Sequence, residues 1–260
     1  MILSALTSET QQIVQGFTHL PFFTAEVGCP YFNNRHARLR GALRVLIGKG
    51  SAEEISEEAQ LFALREKIDL NNLDSQSLKK FLVDHHLGID CSGFAYHVLE
   101  AESLARGLGK LNKSLHRPFL KNPIRKFLAW LRPIENTGVG TLSHPANTQE
   151  VNLKDIQAGD MIIMLKSGPK KDYNHVLIIT KVEGENGLPN LITYIHSFQW
   201  SKDGQYDHGV RDGEIKIQDL KKPLLEAVWT EKGLSGLENE TFSHAKGAET
   251  LTINRLKWFK

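Results

Sequence analysis

Gly88-Ile-Asp-Cys-Ser-Gly-Phe94 is the stretch on which the reading of this chain turns. Asp90 is a good helix N-cap, and Phe94, Ala95, Val98, Leu99 and Ala101 recur at helical spacing after Cys91. The segment to about Leu108 therefore reads as a helix with one face in a core. Cys91 stands at its first turn, where backbone N–H groups and the positive end of the helix dipole favour a thiolate. A thiol there is expected to have a pKa below its free value of about 8.5 and to act as a nucleophile. Gly93 permits close backbone approach to the same turn. The plainer alternative is a small buried hydrophobe, as most free cysteines are.

On the N-terminal side, residues 4–17 have the pattern of a short amphipathic helix. Residues 22–34 look extended and end in Cys29-Pro-Tyr-Phe-Asn-Asn34. Residues 36–47 repeat apolar positions at helical spacing until Gly48-Lys-Gly50 stops them. Ser51 with Glu54 is a capping box opening a helix to about Ile68, and Asp74 or Ser75 caps another to about His86. Beyond the cysteine helix lies a basic, Pro-interrupted stretch. Within it Lys121–Arg132 reads as a helix starting near Pro123, solvated on one side and with its aromatic face in the core, the alternative being a surface that binds an anionic glycan or a membrane. From Asp160 the period changes. Residues 160–165, 175–182 and 191–197 read as strands, with further β signals at 213–217, 227–230 and 250–256. Helices first and strands afterwards predict an α+β fold with helices packed on a C-terminal antiparallel sheet. No internal repeat or low-complexity linker divides the chain, so residues 1–260 read as one domain.

Composition narrows the classes. With 260 residues, 40% hydrophobic and 24% charged, the chain has the mix of a globular domain, and a net charge of +2 is too small to argue for nucleic acid. Two cysteines, Cys29 and Cys91, make no disulfide framework. No run approaches 18 apolar residues, so no transmembrane segment is expected. The first ten residues lack a basic n-region and an apolar h-region. The expected location is the cytoplasm, with extracellular or cell-wall action requiring another route.

A cysteine nucleophile needs a base, and the base a group to orient it. His175 opens one strand and His196 lies near the end of the next. Between them Glu183-Gly-Glu-Asn-Gly-Leu-Pro189 reads as a hairpin loop centred near residues 185 and 186. Facing residues of an antiparallel pair sum to a constant, here about 371, which sets His175 directly opposite His196. The face of His175, Leu177 and Ile179 is then expected against the cysteine helix. Cys91 attacks a carbonyl, His175 moves the proton, and His196 holds His175 in its tautomer. N–H groups at the helix start are candidates for the oxyanion. His85 and His86 point about 100° apart on a helix with no ligand set around them, so no metal is expected, and no cofactor is called for. His97 reads as structural, Asp160 as fixing a turn, and Arg211 in the polar loop 206–211 as a partner for a substrate carboxylate.

These landmarks carry a family resemblance. Gly88-Ile-Asp-Cys-Ser-Gly-Phe94, Ile156-Gln-Ala-Gly-Asp-Met-Ile-Ile163, Asn174-His-Val-Leu-Ile-Ile179 and Tyr194-Ile-His-Ser197 resemble, in order, those of the NlpC/P60 cysteine peptidases. The resemblance covers about residues 28–200. It implies a papain-like fold, a Cys91–His175–His196 triad, and cleavage of amide bonds in a peptidoglycan stem peptide or similar small peptide. It also implies that Asp90, Ser92 and Tyr31 hold the substrate's terminal amine. Asn33-Asn34 stand where the family has Gly-Gly. A helical insertion at about 35–87 separates Tyr31 from Asp90 and is expected to wall the cleft. An acyltransferase or a lipid ester or amide hydrolase on the same scaffold is the alternative chemistry. A catalytically inactive cell-wall-peptide binding module is the alternative from outside enzymology.

Overall fold

Capping residues decide where most helices of this chain begin. In the computed structural model, which describes residues 1–22, 25–33 and 43–259, α1 (Ser8–Thr18) follows a short strand, β1 (Ile2–Ala5), that the residue pattern had not marked. Ser51 and Glu54 form the reciprocal capping box of α2 (Ala52–Glu66), and Asp74 caps α3 (Ser75–Asp84). Asp90 caps α4 (Cys91–Ala105) by accepting from the Gly93 N–H at 2.6 Å. After the short α5 (Leu111–Ser114), Asn122 caps α6 (Pro123–Leu131), with Pro123 in the first turn where a missing N–H costs nothing. A single turn, α7 (Val139–Leu142), is the last helix before β2. The helix expected over 36–47 falls largely outside the described residues. Its end, Arg44–Ile47, is a 3-10 turn stopped by Gly48 in the left-handed region.

The rest of the chain is one mixed helix-and-sheet assembly. Strands β2 (Thr148–Glu150), β3 (Met161–Ser167), β4 (Tyr173–Glu185), β5 (Leu188–Phe198), β6 (Gly209–Lys216), β7 (Val228–Glu231), β8 (Leu234–Ser235) and β9 (Thr250–Leu256) form an antiparallel sheet. Its order is β2-β9-β3-β4-β5-β6-β7-β8, and β1 pairs with the far end of β4. Helix α8 (Glu240–Gly247) lies between β8 and β9 in sequence. Among the described residues, no helix is long and apolar enough to cross a membrane.

The hairpin that carries the two histidines differs from the expected one in register. Asn186 and Gly187 both have positive φ, 53° and 77°, and make the whole two-residue turn. Asn-Gly is the pair that a type I′ hairpin favours. The register near the histidines pairs Ile178 with Ile195 and Ile179 with Tyr194, a sum of 373 rather than 371. Carried on to His196, it faces that residue with Leu177. A slip of two residues preserves the face, so the imidazoles stay on one side and meet diagonally. The other facial expectation is overturned. Phe94, Ala95, Val98 and Leu99 of α4 share a core with Val176, Ile178 and Ile195, whereas Leu177 and Ile179 pack on the opposite side with Tyr194 and Trp229. Each fully buried aliphatic or aromatic side chain there contributes about 1.5–3 kcal/mol.

Helix α6 also departs from expectation. Only Ala129 is buried, and Phe127 and Trp130, expected in the core, are 59% and 55% exposed. An amphipathic period states that one face is apolar without stating what that face meets.

Candidate functional site

Cys91 is buried by its own helix start and by the strand that brings His175. The cleft it borders has a volume of about 1080 Å³ and is also lined by Tyr31, Asp90, Ser92 and His175. Val83, Asp84 and His86 from the end of α3 line it as well, so residues of the 35–87 region do form part of its wall. The sulfur lies against the backbone N–H groups of Val176 and Ser92. These favour a thiolate, as does the Lys49 ammonium, but burial and the Asp90 carboxylate outweigh them. The thiol is pushed up to about 12. The pKa expected to fall has therefore risen, because a helix tip stabilises a thiolate only to the extent that the sulfur keeps its solvation.

The candidate base, His175, heads a line of side chains drawn from three strands. His175 is 4% exposed, and its Nε2 lies 2.6 Å from His196 Nδ1. His196 is fully buried, and its Nε2 lies 3.0 Å from Glu231 Oε2, which also accepts from the Tyr194 hydroxyl at 2.7 Å. Burial alone would raise the Glu231 carboxyl, but the attraction of His196 and hydrogen bonds from His196, Tyr194 and Thr241 hold it below the usual range. Burial first, then the neighbouring His196, His244 and Arg211, keeps His175 well below its ordinary value.

A carboxylate only accepts, so it assigns the protons along this line. His196 donates from Nε2 to Glu231, and in the neutral ring Nδ1 must then accept. His175 accordingly donates from Nε2, which leaves its Nδ1 lone pair as the available base. Glu231 is the residue that the sequence reading missed. It is reached because Gly213, between Tyr194 and Glu231 in the cross-strand row, has no side chain. A Cβ at Gly213 would stand 2.4 Å from the Tyr194 hydroxyl. The available signal was a carboxylate ending the short alternating strand Val228-Trp-Thr-Glu231, whose Trp229 and Glu231 both turn inward.

Lys49 is the second missed residue. Its ammonium is 2.8 Å from Asp90 Oδ1, 2.6 Å from Ser92 Oγ and 3.3 Å from the Thr137 carbonyl, so its three donors are all used. Gly48 places it: the Asp90 N–H donates to Gly48 O at 3.0 Å, and a Cβ on Gly48 would meet Phe32 O at 2.3 Å. Gly93 matters for the same contact, since a Cβ there would come within 2.7 Å of Gly48 O.

Tyr31 keeps a place on the cleft, while Arg211, Asp160 and His97 take structural ones. Tyr31 bridges Ile89, its hydroxyl accepts from Asn33 at 3.2 Å, and its ring sits edge-on to Phe198. Asn34 lies outside the described residues. Arg211 is not free for a substrate carboxylate; it is buried and paired with Asp203 at 2.5 Å. Asp160 accepts from the Gln157 N–H and pairs with Arg255, so it does fix its turn. His97 packs on Phe17, with its Nε2 3.1 Å from the Lys49 carbonyl. His85 lies 2.8 Å from Glu66, while His86 stacks on Phe32. No group of three or more His, Cys, Asp or Glu gathers as a metal site among the described residues. Against known proteins, no family model, curated protein or solved structure matches this chain.

Proposed function

We propose that this protein is a thiol hydrolase of NlpC/P60 type with a papain-like arrangement, cutting an amide bond in a peptidoglycan-derived or similar small peptide. The observation that carries the reading is the continuous line His175–His196–Glu231, held at 2.6 and 3.0 Å, on the cleft that Cys91 borders. A buried imidazole pair closed by a carboxylate is a costly arrangement for stability alone and a suitable one for moving a proton.

With the thiol near 12 and His175 depressed, the resting pair is neutral rather than a preformed ion pair. His175 Nδ1 takes the thiol proton as sulfur bonds to the substrate carbonyl carbon. The charge that appears on the ring is stabilised through His196 by Glu231. In the first turn the Gly93 N–H is already given to Asp90, so the Ser92 N–H beside the sulfur is the one suited to the oxyanion. Collapse breaks the C–N bond, the amine leaves with the proton from His175, and a thioester remains. Water, deprotonated by His175, then attacks the thioester carbonyl and releases the acid and the thiol.

The resemblance gives Asp90 and Ser92 to the substrate's amine, but Lys49 holds both from within. Our reading gives this pair the task of fixing the nucleophile helix against residues 49 and 137. Recognition passes to the rest of the cleft, Tyr31 included. The cleft wall around Asp90 is polar, with Lys49 and Ser92 beside it, which suits a peptide better than a lipid chain.

The test is mass spectrometry of muropeptide digests with wild type, Cys91→Ala and His175→Ala. Cleavage products from wild type alone are expected. An identical product pattern in wild type and Cys91→Ala would remove the hydrolase and leave a binding module.

A further inference from the structure

The charge of this chain is unevenly placed. Residues 103–134 hold eight of its 32 Lys and Arg and none of its 30 Asp and Glu. The remaining chain therefore has 24 basic against 30 acidic residues, a net −6 beside a segment of +8. Helix α6 lies in the middle of that segment and turns its apolar side chains outward. Ile124, Phe127, Leu128, Trp130 and Leu131 are all between 51% and 69% exposed.

At 100° per residue these five side chains fill an arc of about 160°, and buried Ala129 lies opposite its centre. Arg125 falls on one margin of the arc and Lys126 on the other, while Arg132, the C-cap, is paired with Glu135 at 3.0 Å. A helix that served the core of its own domain would carry this pattern the other way round. Phe119, four residues before α6, is also exposed, at 65%.

We propose that α6 is an interfacial helix that seats the protein on an anionic lipid bilayer. The apolar arc lies in the boundary between headgroups and acyl chains, and the basic margins extend to lipid phosphates. Charge decides against other occupants. A nucleic acid or an anionic glycan would use exposed cations such as Arg125 and Lys126 but has no use for five exposed apolar side chains. A second copy pairing symmetrically through α6 would set Arg125 and Lys126 against their own counterparts. Nine residues rise only about 13 Å, far short of a hydrocarbon core of about 30 Å, so the helix lies in the plane of the surface and does not cross it.

The cleft sits close to this surface. Residues 135–140, directly after α6, line it, and the Phe119 ring comes within 3.8 Å of where a Cβ on Gly140 would stand. Seating α6 thus brings the cleft to the membrane surface, where bilayer-borne substrates would reach it. The proposal rests on α6 alone and not on the thiol chemistry.

Flotation with vesicles tests it without any catalytic readout. Wild type is expected to float with 1:1 phosphatidylglycerol:phosphatidylcholine vesicles and to bind pure phosphatidylcholine at least tenfold more weakly. The exposed Trp130 should shift its emission to the blue on binding. Phe127→Ser/Trp130→Ser and Arg125→Glu/Lys126→Glu alter exposed positions, and each is expected to abolish flotation while keeping the wild-type circular dichroism melt. Wild type that stays with the buffer overturns the proposal. So does undiminished flotation of Phe127→Ser/Trp130→Ser, which would mean charge attraction without insertion. A concentration-dependent dimer in sedimentation velocity, lost in that variant and unaccompanied by vesicle binding, would assign the face to a second copy instead.

Discussion

Replacing Glu231 by Gln removes one charge from the proton line and changes its shape very little. Gln keeps an oxygen that can accept from His196 Nε2 and from the Tyr194 hydroxyl, so the proton assignment along the line can survive. Glu231 is 3.0 Å from His196, and His196 is 2.6 Å from His175. With one imidazole between them, carboxylate and base are about 8 Å apart. A unit charge there, at an effective dielectric of about 20, is worth about 2 kcal/mol. In the proposed transition state that charge stabilises imidazolium on His175, so its loss is expected to slow the chemical step by up to about 30-fold.

The same energy fixes the sign of the pH effect. Without the carboxylate, protonated His175 is less favoured, and its pKa falls further by about 1.5 units. The base must be neutral to work, so the acidic limb of kcat/KM moves to lower pH while the plateau drops. The assay is the pH profile of hydrolysis on whichever muropeptide the Cys91→Ala comparison shows to be cleaved. A purely structural Glu231 would lower the melting temperature and leave the limb in place. A plateau within twofold of wild type together with an unmoved limb refutes the relay. Tyr194→Phe is the companion, removing one neutral donor from Glu231 for about 1 kcal/mol of stability and little change in rate.

Further outcomes can be checked by equilibrium unfolding. Lys49→Met strands the buried Asp90 carboxylate and should cost about 3–5 kcal/mol, most of it recovered when Asp90→Asn is added, since Asn still accepts from Gly93. A single variant as stable as wild type would show that the pair does not hold the helix. Gly93→Ala drives a methyl against the Gly48 carbonyl and should cost about 1–3 kcal/mol; an unchanged melt would mean the 48–49 segment yields freely. His97 is lowered to about 4, chiefly by burial, and His175, His208 and His244 are lowered too. Below pH 6.5 the unfolded chain binds more protons, so stability is lost as pH falls from about 6.5 towards 4, by about 3 kcal/mol from His97 alone. His97→Phe should flatten that slope by one proton, and a slope unaffected by the change would place the titration elsewhere.

What the residue pattern revealed and what it hid divide along a physical line. The cap at Asp90, the Ser51–Glu54 box and the start of α6 at Pro123 are local, and each formed where the residues alone put it. The shared face of His175 and His196 was legible because the strand period is two. The exact pairing was not, because the polar loop was centred as a whole and its Asn186-Gly187 pair, which makes the turn, was passed over. Glu231 and Lys49 were invisible for a different reason. They act on His196 from 35 residues away and on Asp90 from 41, and neither separation leaves a periodic trace. The thiol shows most clearly how the two levels interact. A helix tip argues for a thiolate from local structure alone, but the core that receives α4 removes the water on which that argument depends. With the sulfur held as a thiol, the proton transfer proposed above draws its stabilisation from the carboxylate behind the second imidazole, the part of the site that no local pattern could have shown.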